Sequence, residues 1–109
     1  GLNCGFPSIA AFETLCRGVD AFVAITDQWA ERAMRLLAGG TPPVVAGESG
    51  AASVAGLMAL QHDPAFDAVR KHIALGPTTR VLVWSTEGAT DPVAWEAIVG
   101  WPPPDAAPP

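Results

Sequence analysis

Two short polar turns carry the residue types best suited to chemistry: Gly47-Glu48-Ser49-Gly50-Ala51 and Ser85-Thr86-Glu87-Gly88. In the first, a carboxylate sits where a helix is expected to begin. Unpaired amides at such an end attract anions and stabilise negative charge. Glycine on either side lets a ligand or another backbone approach closely. The second turn offers two hydroxyls, Ser85 and Thr86, and the carboxylate of Glu87. Groups of this kind facing a planar heteroaromatic ring set its protonation and hence its electronics. Both turns also have the composition of ordinary helix caps and loops. A third, Thr26-Asp27, is read as a cap and nothing more.

The rest of the 109 residues offers little rival chemistry. There is no nucleophile elbow, zinc-protease motif or phosphate-cradling glycine loop. His62 and His72 have no companion ligands at metal-site spacing, so they are expected on helix surfaces. Cys4 and Cys16 are read as two reduced thiols of a cytoplasmic protein. A formal charge of −5 with only six scattered basic residues excludes a nucleic-acid partner. No apolar run approaches the roughly 20 residues needed to span a membrane.

The turns must be positioned by the elements around them. Three apolar runs, residues 21–25, 43–46 and 80–84, are rich in β-branched side chains and do not alternate strictly with polar ones. They are expected to be strands of a parallel sheet buried on both faces. Helical patterns separate them. Pro7 precedes a candidate helix over 8–17. Asp27 is expected to cap the next helix, with Ala30, Ala33, Met34 and Leu37 on one face, Glu31 and Arg35 paired on the other, and Gly39-Gly40 as the stop. Residues 49–60 make a small-residue helix. Asp63-Pro64 and Asp91-Pro92 are cap-plus-proline starts. Phe66, Val69 and Ile73 form the stripe of one of these helices, which Gly76-Pro77 ends; Trp95, Ile98 and Val99 form that of the other.

The order α-β-α-β-α-α-β-α implies an α/β three-layer sandwich with right-handed crossovers. Ligands of such sheets bind beyond the carboxyl ends of the strands, where all three polar turns would lie. Three strands are few for a doubly covered sheet, and the sequence opens without Met, so further strands are expected upstream. Residues 1–100 are read as one part-domain, and the proline-rich 101–109 as a disordered or polyproline-like tail.

Four blocks in this order, Gly1-Leu2-Asn3-Cys4-Gly5-Phe6-Pro7-Ser8, Gly18-Val19-Asp20-Ala21-Phe22-Val23-Ala24, Val44-Val45-Ala46-Gly47-Glu48-Ser49-Gly50-Ala51-Ala52 and Ser85-Thr86-Glu87-Gly88-Ala89-Thr90-Asp91-Pro92, resemble the C-terminal third of the diaminopropionate ammonia-lyase family. That family falls in the fold-type II group of pyridoxal-phosphate (PLP) enzymes, with the tryptophan synthase β subunit and threonine dehydratase. The resemblance implies PLP as cofactor, a small amino-acid substrate, and β-elimination of 2,3-diaminopropionate to pyruvate and ammonia. It implies a homodimer when the protein is complete. In relatives a segment E-x-x-G-A lies near the cofactor ring, and Glu48-Ser49-Gly50-Ala51 is similar to it with one residue fewer. A hydroxyl after the last strand contacts the ring nitrogen; Thr86 is similar to that residue, with Ser85 the alternative.

The sequence also departs from the family. PLP enzymes use a lysine to attach the cofactor and move the α-proton. The one lysine here, Lys71, lies between Arg70 and His72 in a helical stretch without the family's lysine motif. The chain is therefore expected to be a C-terminal fragment, without lyase activity of its own. Rival readings are a threonine dehydratase or threonine synthase of the same group, and a non-catalytic α/β module that binds an anion at the Ser49 helix start.

Overall fold

The computed structural model describes residues 5–104. Cys4, the opening of the first resemblance block and the end of the proline-rich tail lie outside the described residues. Among the described residues there are five helices: α1 (Ile9–Gly18), α2 (Asp27–Ala38), α3 (Glu48–His62), α4 (Asp67–His72) and α5 (Pro92–Val99), with a 3-10 turn at Pro64–Phe66 before α4.

Local chemistry explains where each helix starts. The Ser8 hydroxyl accepts the Ala11 amide, the Asp63 carboxylate accepts Ala65, and Asp91 accepts Ala94. Pro64 and Pro92 follow their caps at a position where no amide is needed. Asp27 is not the cap of α2. Thr26 holds that position without a side-chain bond, and Asp27 is the first helical residue, where its charge still favours the helix dipole.

The expected sandwich is not formed. Among the described residues none belongs to a β-strand, so the fold is helical and not α/β. A strand exists only through the ladder its neighbour supplies, and two of the three apolar runs are tied to helices instead. The Val44 amide bonds to the Leu37 carbonyl at the end of α2, at 2.9 Å. The Trp84 carbonyl accepts the Ser53 hydroxyl of α3, at 2.9 Å. Single ties of this kind fix a segment against a helix without building a sheet. Many of the apolar side chains consequently face solvent, Leu82 at 77%, Phe22 at 70% and Trp84 at 70% exposure.

The core lies where α2, α3 and α5 converge. Ala33, Met34, Ala46, Ala51, Ala55, Trp95 and Val99 are buried together. Alanine dominates this cluster, so α2 and α3 approach closely, and Trp95 and Met34 supply most of the bulk. The Trp95 indole N–H donates to the Ala46 carbonyl at 3.2 Å, satisfying both buried groups. Arg35 Nε donates to the Ile98 carbonyl at 2.8 Å and ties α2 to the end of α5. At the far end of α3 the Arg70 guanidinium donates to the Leu60 carbonyl at 2.9 Å. This core holds Ala46 and Gly47, and so the start of α3, in a fixed place.

Candidate functional site

The two polar turns meet. Their backbones come together at the first turn of α3, where the Gly47 amide donates to the Glu87 carbonyl at 3.1 Å. The glycines make the approach feasible. A Cβ on Gly50 would lie 2.1 Å from the Glu87 carbonyl oxygen, and one on Gly47 would lie 2.6 Å from that of Gly88. Only residues without a side chain fit against this backbone.

Glu87 joins the turns through its side chain as well. One carboxylate oxygen, Oε2, accepts the Ser49 amide at 3.1 Å. The other, Oε1, accepts the Thr90 hydroxyl at 2.6 Å. The Thr90 hydroxyl, with further help from the Ser49 amide and hydroxyl, holds the Glu87 carboxyl below the usual carboxylate range, against the opposing effect of desolvation. A chain carboxylate thus occupies the α3 N-terminus, with the dipole and a free amide serving an internal anion.

This geometry changes the standing of each residue singled out in the sequence. Ser49 gives its amide to Glu87 and so cannot offer it to a ligand. Gly50 is buried against the neighbouring turn and acts by being small. Glu48 is the half-buried first residue of α3. Ser85 and Thr86 sit in the exposed part of the second turn. Around them the hydroxyls of Ser53 and Thr90 are committed, to the Trp84 carbonyl and to Glu87. Those of Ser85 and Thr86 make no hydrogen bond among the described residues. They remain open to a ligand.

Glu87, read in the sequence as a group that could face a ring, is instead committed to the joint between the turns, and Thr90, given no role there, is its partner. Their three-residue separation was a usable local signal, but Ser49, the other partner of the Glu87 carboxylate, lies 38 positions away. Lys71 is exposed on α4, which packs at the opposite end of α3 from the turns. A helix of 15 residues puts the two ends on the order of 20 Å apart. His62 and His72 are exposed helix residues, and among the described residues no group of His, Cys, Asp and Glu could hold a metal ion.

No family model matches the chain. Over 102 residues, however, it is 34% identical to a curated protein of Escherichia coli, the match covering 91% of this chain and 26% of the relative. A Salmonella typhimurium protein is 33% identical over 103 residues, with the same shares covered. Both carry one name. The chain is similar to diaminopropionate ammonia-lyase. It spans about a quarter of the length of the ammonia-lyases it matches. The similarity covers nearly the whole chain, so both polar turns are read within it rather than beside it.

Proposed function

We propose that this chain forms the ring-facing part of a PLP-dependent ammonia-lyase that converts 2,3-diaminopropionate to pyruvate and ammonia. The observation that carries the reading is the pair of uncommitted hydroxyls, Ser85 and Thr86, on a turn locked to the start of α3, in a chain similar to ammonia-lyases over 91% of its length. When bound, the cofactor supplies the electron sink for loss of the α-proton. Thr86 would hold the ring nitrogen through its hydroxyl, with Ser85 the nearby alternative. A neutral hydroxyl donates or accepts without forcing a proton onto that nitrogen, which suits elimination of an amino group.

The described residues fit the ring side of the cofactor and not its attachment. Lys71 stands at the wrong end of α3 to hold a cofactor at this turn. The attaching amine, and the groups that hold the cofactor phosphate, therefore come from polypeptide outside these 109 residues. The α3 N-terminus does not substitute for a phosphate site, because Glu87 fills it; a stand-alone anion-binding module loses its binding site for the same reason. By analogy with the family we place the complete protein in the cytoplasm as a homodimer.

The test is to translate the encoding DNA upstream in frame, express the longer product, and assay pyruvate and ammonia release from diaminopropionate. Activity in the longer product, absent from the 109-residue chain and lowered by Thr86→Val, is the expected result. Threonine turned over in place of diaminopropionate would assign the chain to a dehydratase. Pyruvate formation by the 109-residue chain alone would overturn the assignment of the amine to another part of the protein.

A further inference from the structure

We infer that Glu87, together with Thr90, is the positioning pair that fixes the Thr86 hydroxyl for its work on the cofactor ring. The inference rests on the function proposed above and concerns how the site is built. Four contacts converge on one residue: its carbonyl on the Gly47 amide, its two carboxylate oxygens on the Ser49 amide and the Thr90 hydroxyl, and its backbone against Gly50. Thr86 is the adjacent residue and is itself held by no hydrogen bond among the described residues. Its placement therefore depends on its neighbour.

Charge and geometry explain why a glutamate serves here. A carboxylate accepts two bonds at once from groups on opposite sides, one on the helix start and one three residues ahead in its own loop. Bonds to an ionised acceptor are shorter and stronger than neutral ones. The loop is thereby pinned just after the exposed segment that carries Ser85 and Thr86, while the Trp84 carbonyl, bonded to Ser53, holds it just before. Alanine at position 87 would keep the backbone contacts and lose both side-chain bonds. Glutamine can accept from Ser49 through its carbonyl oxygen and donate to the Thr90 oxygen through its amide, preserving the geometry with weaker bonds.

The experiment uses the longer expressed protein, with and without added PLP, and four variants: Glu87→Ala, Glu87→Gln, Thr90→Val and Thr86→Val. Without cofactor, hydrogen exchange at the Ser49 amide is expected to quicken about tenfold in Glu87→Ala, the factor that accompanies loss of one charge-assisted hydrogen bond. Glu87→Gln should stay near the parent. With cofactor, Glu87→Ala and Thr90→Val should shift the absorbance of the bound ring in the same direction as Thr86→Val. They should also lower kcat about tenfold with KM little changed, because misplacement alone carries such losses. Thr90→Val keeps every backbone contact and the Glu87 bond to Ser49, so it tests the proposal even if Glu87→Ala folds poorly. An unchanged spectrum and kcat in Thr90→Val and Glu87→Ala, with Thr86→Val still perturbed, would overturn the positioning role and leave the proposed function standing. No effect in Thr86→Val would instead remove the function assigned to that hydroxyl, and the positioning role with it.

Discussion

At the residue scale, two side-by-side turns are held by one carboxylate and two glycines, and the carboxylate and Gly50 each make a separate prediction. Gly50→Ala sets two effects against each other. Alanine gains about 1 kcal/mol of helix propensity over glycine. Its Cβ, however, would lie 2.1 Å from a backbone oxygen that cannot swing aside, and overpacking of this kind costs roughly 3 kcal/mol. The clash wins, and chemical denaturation should show Gly50→Ala less stable by about 2 kcal/mol. Glu87 predicts a pH dependence. Its carboxyl is held low in the folded chain by Thr90 and then Ser49. The folded state binds that proton less readily than the unfolded chain, whose carboxyl titrates at about pH 4.3. The stabilisation is therefore fully present above that pH and is lost as pH falls through the lower folded value. Melting midpoints recorded from neutral to acid pH should fall in that window, and Glu87→Gln should flatten this part of the fall. A Glu87 carboxyl titrating at its ordinary value by NMR would contradict the arrangement. Both candidate turns were legible in the sequence because glycine, serine and carboxylate spacing is local. Their joining was not. It depends on a contact across 38 residues that no short-range pattern encodes.

At the element scale, the helices were legible almost throughout, and for the same local reason. Ser8, Asp63-Pro64 and Asp91-Pro92 start helices because each cap bonds an amide two or three residues ahead. The strands were misread because an apolar, β-branched run shows only that a segment tolerates extension. Whether it becomes a strand depends on a partner, and Val44, Ser53 and Trp84 show two of these runs tied to helices. The helix ends carry a further prediction. Just past α4, Ala74 sits in the left-handed region with φ 51, and the Leu75 amide reaches back to the Arg70 carbonyl at 3.0 Å. Such a terminus favours glycine, as α5 shows by ending on Gly100 at φ 98. An L-residue with a side chain loses about 1–2 kcal/mol in that conformation, while glycine adds about 0.4–1 kcal/mol of unfolded-state entropy to be lost on folding. Ala74→Gly should accordingly stabilise the chain by roughly 0.5–1 kcal/mol in a thermal or denaturant melt. A loss of stability would mean that the turn after α4 is not left-handed in solution.

At the scale of the whole molecule, the small core and the large apolar surface belong together. The buried cluster is mostly alanine, with Trp95 and Met34 the only large, fully buried side chains among the described residues. The side chains that would have enlarged it lie outside. Along α1, Ile9, Phe12 and Leu15 recur at three-residue spacing with 91%, 55% and 43% exposure, and α1 packs on none of the other described helices. Near the candidate site, Leu82 and Trp84 extend the same pattern. The radius of gyration, 15.3 Å, exceeds the roughly 13 Å of a compact chain near this length, as a helix standing away from the core requires. Apolar surface on this scale is unusual for a monomer free in water, which rarely exposes patches beyond a few hundred Å². The isolated 109-residue chain should therefore bind a hydrophobic reporter dye and associate as its concentration rises, seen by light scattering. Ile9→Glu with Phe12→Glu should weaken that association without lowering stability, because neither side chain contributes to the core. Trp95→Ala is the contrasting case: it removes the largest buried side chain and its bond to Ala46, at a cost of about 3–5 kcal/mol. A chain that stays monodisperse and dye-free would show that α1 folds back over the apolar surface in solution, and the double variant would then destabilise it.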